Sequence, residues 1–291
     1  IGEKDTWSKV GRGYTCAIAV KSDGTLWTWG QNNRGELGTS NLTLYSSPVQ
    51  VGALTTWLKP AMGYGASLCV KTDGTLWTWG YNGQGQLGLG DATNRSSPAQ
   101  VGALTTWAVA SFGYRECFAV KTDGTLWGFG SNSSGGLGQG NTTIQSSPVQ
   151  VGALTNWVFA TGGNSFCVAT KTDGTMWSWG ANREGELGIG TTGPHTGVCS
   201  PTQIGALTTW SKVACVNTST LAIKTDGTLW GWGENKLSIL GLNNTTAYSS
   251  PVQIGALTNW SKVYGFPWLA KVHFVAIKTD GTLWTWGDNS S

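Results

Sequence analysis

The run KTDGTLWTWG at residues 71–80 recurs, nearly letter for letter, with its lysine at positions 21, 71, 121, 171, 224 and 278. A chain that copies one segment at near-constant spacing must build the same small unit each time, and the units must stack to bury their apolar faces. The intervals are 50, 50, 50, 53 and 54 residues. A second marker is the tryptophan closing ALTTW or ALTNW, at Trp57, Trp107, Trp157, Trp210 and Trp260, with Trp7 in the same place. The repeats therefore begin near residues 7, 57, 107, 157, 210 and 260 of a single domain spanning 1–291. The longer intervals put an insertion of three residues around 191–199 and one of four around 264–272.

Within a repeat every signal is β. In SLCVKTDGTLWTW, Asp73-Gly74 lies between two apolar-rich runs, which predicts a two-residue type I′ hairpin because both central positions need positive φ. Side chains alternate along the outgoing strand, so Trp77 and Trp79 share one face and Leu76 and Thr78 the other. SSPVQVG reads as a short edge strand with proline at its start, where no ladder donor is required. WLKPAMG and its counterparts supply a further strand. About four strands per 50 residues, six times over, predicts a β-propeller of four-stranded blades.

The tryptophans fit this reading. Three per repeat over six repeats gives 18, the number present; Phe129 replaces one and Trp268 is the extra. A blade is a thin sheet, and each buried aromatic removes roughly 150–250 Å² from water. Trp27, Trp29, Trp77, Trp79, Trp127, Trp177, Trp179, Trp230, Trp232, Trp284 and Trp286 are accordingly assigned to the core between blades.

Composition narrows function. Only 11% of the residues are charged, the net charge is +3, and the 18 Lys and Arg are scattered instead of clustered. This predicts no nucleic-acid partner, and the lack of any apolar run near the roughly 18 residues of a spanning segment predicts no membrane insertion. IGEKDTWSKV has no initiator methionine and no apolar leader core, so a signal peptide is expected to be absent or already removed. The six cysteines form no C-x-x-C pair and are read mostly as small buried residues.

The segment DGTLWTWGYNGQGQLGLG (73–90) resembles the repeat of the regulator of chromosome condensation family, whose members are usually seven-bladed propellers. The family's G-x-x-H-S/T step is mostly gone: its histidine place holds Cys16, Ala66, Glu116, Phe166 and Ser219, and only His273 fits. A light-sensing member carries tryptophan in a G-W-R-H-T step, and here that place holds Tyr14, Tyr64, Tyr114, Asn164, Asn217 and Lys271, which excludes photoreception. Guanine-nucleotide exchange on a small GTPase, another family function, needs a protruding wedge, and no insertion exceeds four residues. The near-identity of the copies looks like the repeat proteins of bacterial and phage genomes, which implies a secreted, cell-surface or virion protein.

Catalysis finds no support. Gly83, Gly85 and Gly88 spell G-x-G-x-x-G, but LGDATNRSSP follows where a dinucleotide site needs a helix. His195 and His273 lie in different repeats, and no serine or cysteine stands with a base in a recognisable order. His195 and Cys199 are at most half a metal site. No catalytic residue, cofactor or metal is expected. The loops after L-G vary most, ending at Tyr45, Arg95 and Tyr248, and the insertion GFPWLA adds Phe266 and Trp268; these five are the interaction candidates.

Ile1 and Gly2 align with Val51 and Gly52, so one outer strand of the ring is missing and the chain is expected to be a segment of a longer polypeptide, with room for a seventh blade. The expected function is that of a non-enzymatic structural or interaction module displayed on a virion or cell surface, with protein partners in a larger assembly. The alternatives are an exchange regulator of a small GTPase or a glycan-binding, lectin-like propeller.

Overall fold

The computed structural model describes residues 6–266 and 272–288. Among these the chain is all-β, and its fold class is a β-propeller of six blades. Blade one comprises β1 (Trp7–Arg12), β2 (Cys16–Lys21), β3 (Leu26–Gly30) and β4 (Tyr45–Gln50). Blade two is β5 (Trp57–Met62), β6 (Ala66–Lys71), β7 (Leu76–Gly80) and β8 (Arg95–Gln100); blade three is β9 (Trp107–Phe112), β10 (Glu116–Lys121), β11 (Leu126–Gly130) and β12 (Gln145–Gln150). Blade four is β13 (Trp157–Gly162), β14 (Phe166–Lys171), β15 (Met176–Gly180) and β16 (Val198–Gln203); blade five is β17 (Trp210–Val216), β18 (Ser219–Lys224), β19 (Leu229–Gly233) and β20 (Tyr248–Gln253). Blade six has three strands among the described residues: β21 (Trp260–Phe266), β22 (His273–Lys278) and β23 (Leu283–Gly287). Every blade is an antiparallel meander in chain order.

The chain divides into two compact units. The first holds residues 1–131 and 144–150, which carry blades one to three; the second holds 132–143 and 151–291, which carry blades four to six.

The hairpin differs from the type I′ turn that Asp-Gly predicts. In blade two the Gly74 amide donates to Lys71 O (3.1 Å) and the Lys71 amide to Thr75 O (3.0 Å), a three-residue loop closed by a type I turn and a G1 bulge. Only Gly74 has positive φ, +77°. Asp73 stays right-handed because its Oδ1 accepts from the Thr75 amide (2.9 Å) and Thr75 Oγ1 (2.7 Å), an Asx turn that holds the loop. The same pattern recurs in all six blades.

The outer strand also begins earlier than its proline suggests. Pro48 is the fourth residue of β4, inside an irregularity between the Thr28–Val49 and Gly30–Tyr45 pairs, where a residue without an amide proton costs no ladder bond.

Alternation along β7 sends its two faces to different neighbours. Leu76, with Leu68 and Val70, packs against Trp107, Cys117 and Phe129 of blade three. Trp79, with Trp57 and Cys69, packs against Ile18, Leu26 and Leu37 of blade one. In the second unit Met176 meets Trp210 and Trp232, and Leu229 meets Trp260 and Phe274. The L-G glycine makes the fit possible: Gly38 has φ +69°, and a Cβ there would lie 2.7 Å from Trp79 Nε1. Trp79 Nε1 in turn donates to Glu36 O at 2.9 Å, and Trp232 Nε1 to Glu186 O at 3.0 Å in the second unit. Glycine and indole in the repeat are thus two halves of one contact between successive blades.

Candidate interaction site

The hairpin end of each blade is a scaffold. Trp77 Nε1 donates to Thr75 Oγ1 (2.9 Å), Lys71 Nζ lies 3.8 Å from the Trp77 ring centre, and Trp57 meets Trp77 edge-on with ring centres 6.1 Å apart. Burial against these indoles pulls the ammonium pKa of Lys71, Lys171 and Lys224 below the ordinary lysine value. The tryptophans assigned to the core fall into two layers. Trp79, Trp179 and Trp232 are fully buried; Trp27, Trp77, Trp127, Trp177 and Trp230 are half-buried at the hairpins, as are Trp29 and Trp286 elsewhere, and Trp284 is exposed.

At the opposite strand ends the blades of the first unit depart from one another, and side chains gather. The turn from β5 to β6 closes through the Gly63 amide on Ala66 O (2.8 Å), and the Tyr64 amide donates to Tyr114 O of the next blade (3.1 Å). That backbone link places the phenol rings of Tyr64 and Tyr114 4.6 Å apart, with Tyr14 at 5.5 Å and Tyr81 at 6.4 Å from Tyr64. Two guanidiniums share the Tyr64 ring: Arg34, from the loop after β3, lies 5.3 Å from its centre, and Arg115 lies 5.2 Å from it. Arg34 also covers Tyr81 at 4.5 Å, and Arg115 covers Tyr114 at 5.0 Å.

The charges in this cluster act on the phenols. Hydrogen bonding from Arg34 holds Tyr64 below the ordinary tyrosine value, whereas burial holds Tyr114 above it. Beneath them Glu116 is fully buried, and desolvation pushes its carboxyl up to about 7. Its Oε2 accepts the Arg115 amide at 3.0 Å. Nε of Arg115 and Nε2 of Gln86 are buried without an acceptor. Among the described residues neither Arg34 nor Arg115 is in an ion pair.

The candidates named from the loops lie elsewhere. Tyr45 accepts from Asn41 Nδ2 (3.1 Å) and Tyr248 from Asn244 Nδ2 (3.2 Å), so each phenol pins its own loop. Arg95 pairs with Asp91 at 2.6 Å. Trp268 lies outside the described residues, and of Phe266 only the backbone, at the end of β21, is described. The asparagine of W-G-x-N went unnoticed as an organiser: buried Asn32 accepts the Leu37 amide (2.9 Å) and donates to Asn41 O (3.0 Å) and Thr43 O (3.1 Å), gathering the variable loop. Its recurrence at Asn82, Asn132, Asn182 and Asn235 was the available signal.

Nothing in this arrangement pairs a nucleophile with a base. Among the described residues no group of three or more His, Cys, Asp or Glu could hold a metal. Among the described residues all six cysteines are free thiols; Cys16, Cys69, Cys117, Cys167 and Cys215 are buried, and burial pushes the thiols of Cys16, Cys69 and Cys215 up to about 12. The cluster offers aromatic faces and guanidinium edges, a surface for recognition.

Comparison with known proteins points the same way for the fold. The family model described as "Regulator of chromosome condensation (RCC1) repeat" matches residues 23–70, 73–120, 123–170, 173–223 and 226–265, and a second model of that repeat matches 210–237. A search of curated proteins found no match. Among solved structures, human WBSCR16 superposes with a TM-score of 0.84 at 20% identity, over 99% of this chain and 78% of that one. Yeast RCC1 (Prp20) bound to Kap60 gives 0.84 at 18% identity, over 97% and 70%. Prp20p of Saccharomyces cerevisiae, described with its binding properties to Gsp1p and histones, gives 0.83 at 18%, over 97% and 72%.

Proposed function

The chain belongs to the regulator of chromosome condensation (RCC1) repeat family, and from that premise we propose that it is a non-enzymatic propeller that binds a protein partner through the Tyr64 cluster. The observation that carries this reading is the gathering of Tyr14, Tyr64, Tyr81, Tyr114, Arg34 and Arg115 at one end of an otherwise repetitive scaffold. A rigid framework presenting aromatic and arginine side chains is the composition of an interface centre. The near-identical repeats further support a module of a virion or cell-surface assembly. The test is cross-linking of wild-type and Tyr64→Ala protein in its native source: loss of the cross-linked partner on substitution supports the reading, and an unchanged pattern removes it. Fractionation of the source decides the location, since recovery of the protein only from cytosol removes the surface role.

A second reading, guanine-nucleotide exchange, is favoured by the likeness over 97% of the chain to Prp20p, whose binding to Gsp1p is on record. Accelerated release of labelled GDP from GTPases of the same source would support it, and no acceleration across the panel would remove it.

A further inference from the structure

We propose that Arg34, Tyr64 and Arg115 form a docking site for an acidic peptide segment of the partner, with aspartate or glutamate side chains held by the two guanidiniums. This rests on the interaction reading above and names its chemistry.

Both guanidiniums lie on the Tyr64 ring, at 5.3 and 5.2 Å from its centre. Each guanidinium carries five N–H donors; one bonds a phenol, Arg34 that of Tyr64 and Arg115 that of Tyr114, and the fork geometry of the remaining donors matches a carboxylate. Neighbouring carboxylates do not fill that role. Glu36 Oε2 accepts the Arg34 main-chain amide (2.7 Å), and Glu116 Oε2 accepts the Arg115 main-chain amide (3.0 Å). Two positive charges therefore stand without an ion-pair partner among the described residues, and buried Arg115 Nε has no acceptor at all. An unfilled buried donor beside an unneutralised pair of cations is the complement of an acidic ligand.

The loop after β19 in the second unit carries a cation that neighbouring carboxylates do pair. There Lys236 is neutralised by Glu184 (3.0 Å) and Glu234 (3.3 Å). A nucleic-acid backbone fits less well, because tight phosphate binding draws on several spaced cations and the cluster supplies two guanidiniums on one ring.

The experiment is fluorescence anisotropy with a fluorescein-labelled hexaglutamate peptide on the full chain, at low and at high salt. Wild-type protein should bind in a salt-sensitive manner, and Arg34→Gln should weaken binding about tenfold. Lys236→Gln, the control, should change it by less than about twofold, because Lys236 belongs to a pair already neutralised. Arg34 is partly exposed, so its variant folds even if Arg115→Gln does not. No binding of hexaglutamate, or equal weakening by Arg34→Gln and Lys236→Gln, overturns the proposal. Tighter binding of an oligothymidine or a phosphoserine peptide overturns it in favour of phosphate. If Tyr64→Ala abolishes cross-linking to the native partner while hexaglutamate stays unbound, the interaction reading survives and the acidic chemistry falls.

Discussion

Tyr64 and Asn164 occupy the same place in the repeat, one in each unit, and their backbones do the same thing. The Tyr64 amide donates to Tyr114 O at 3.1 Å, and the Asn164 amide to Asn217 O at 2.7 Å. Side chains then diverge. The first unit gathers tyrosines beside two guanidiniums, whereas the second carries the small amides Asn164 and Asn217, with Asn217 at φ +41°, a left-handed conformation that asparagine tolerates better than an aromatic would. Under the turns, Glu116 in the first unit corresponds to Phe166 in the second, and both are fully buried. The hairpin turns close through the same backbone bonds in both units. The fold thus specifies blade-to-blade backbone contacts and leaves the turn side chains free to specialise.

The comparison breaks most visibly if the scaffolds are unequal. Trp79→Ala and Trp179→Ala each delete a fully buried indole together with its bond to Glu36 O (2.9 Å) or Gly136 O (2.8 Å). Each should cost about 3–5 kcal/mol in denaturant unfolding. A loss confined to one of the two would mean that the blades of the two units are not energetically alike.

Glu116 sharpens the comparison by pH. Its folded carboxyl is pushed up to about 7 from 4.5 by burial, so between those values the folded chain holds a proton that the unfolded chain has released. Stability from this group is present at acidic pH, falls as pH rises from about 4.5 to about 7, and levels off above; the integrated loss is on the order of 3 kcal/mol. Glu116→Gln should flatten that slope in urea unfolding at pH 5 and pH 8. Phe166→Leu, at the same place in the second unit, should shift stability without changing the slope.

The smallest effect concerns the hairpins. Lys71→Met removes a cation 3.8 Å from the Trp77 ring centre and should lower stability by about 1 kcal/mol. Lys171→Met, 3.7 Å from Trp177 in the second unit, should match it. A difference between the two thermal midpoints would show that the hairpin ends, too, have specialised.

Much of this architecture was readable before any coordinates. The 50-residue period, the markers at Lys71 and Trp57 and the alternation Trp77–Thr78–Trp79 led directly to blades and to the faces they present. Asp73-Gly74 marked the hairpin but not its type, because Asp-Gly serves both a type I′ turn and a type I turn with a G1 bulge; the Thr75 hydroxyl and amide on Asp73 favour the second. The interaction cluster was harder. Tyr14, Tyr64 and Tyr114 stood out as replacements for a family tryptophan, yet nothing along the chain links them to Arg34, which reaches Tyr64 only because successive blades stack.

Sequence alone determined the unit, its count and the residues that bond within it, since a hairpin such as Lys71–Trp77 is closed by contacts a few residues apart. Only the tertiary structure decided which side chains meet across blades. Glycine at 38 lets the Trp79 indole lie against it, and this brings Arg34, Tyr64 and Arg115 together from three separate repeats. Contacts of that kind depend on the distance between neighbouring sheets, a quantity no local pattern encodes.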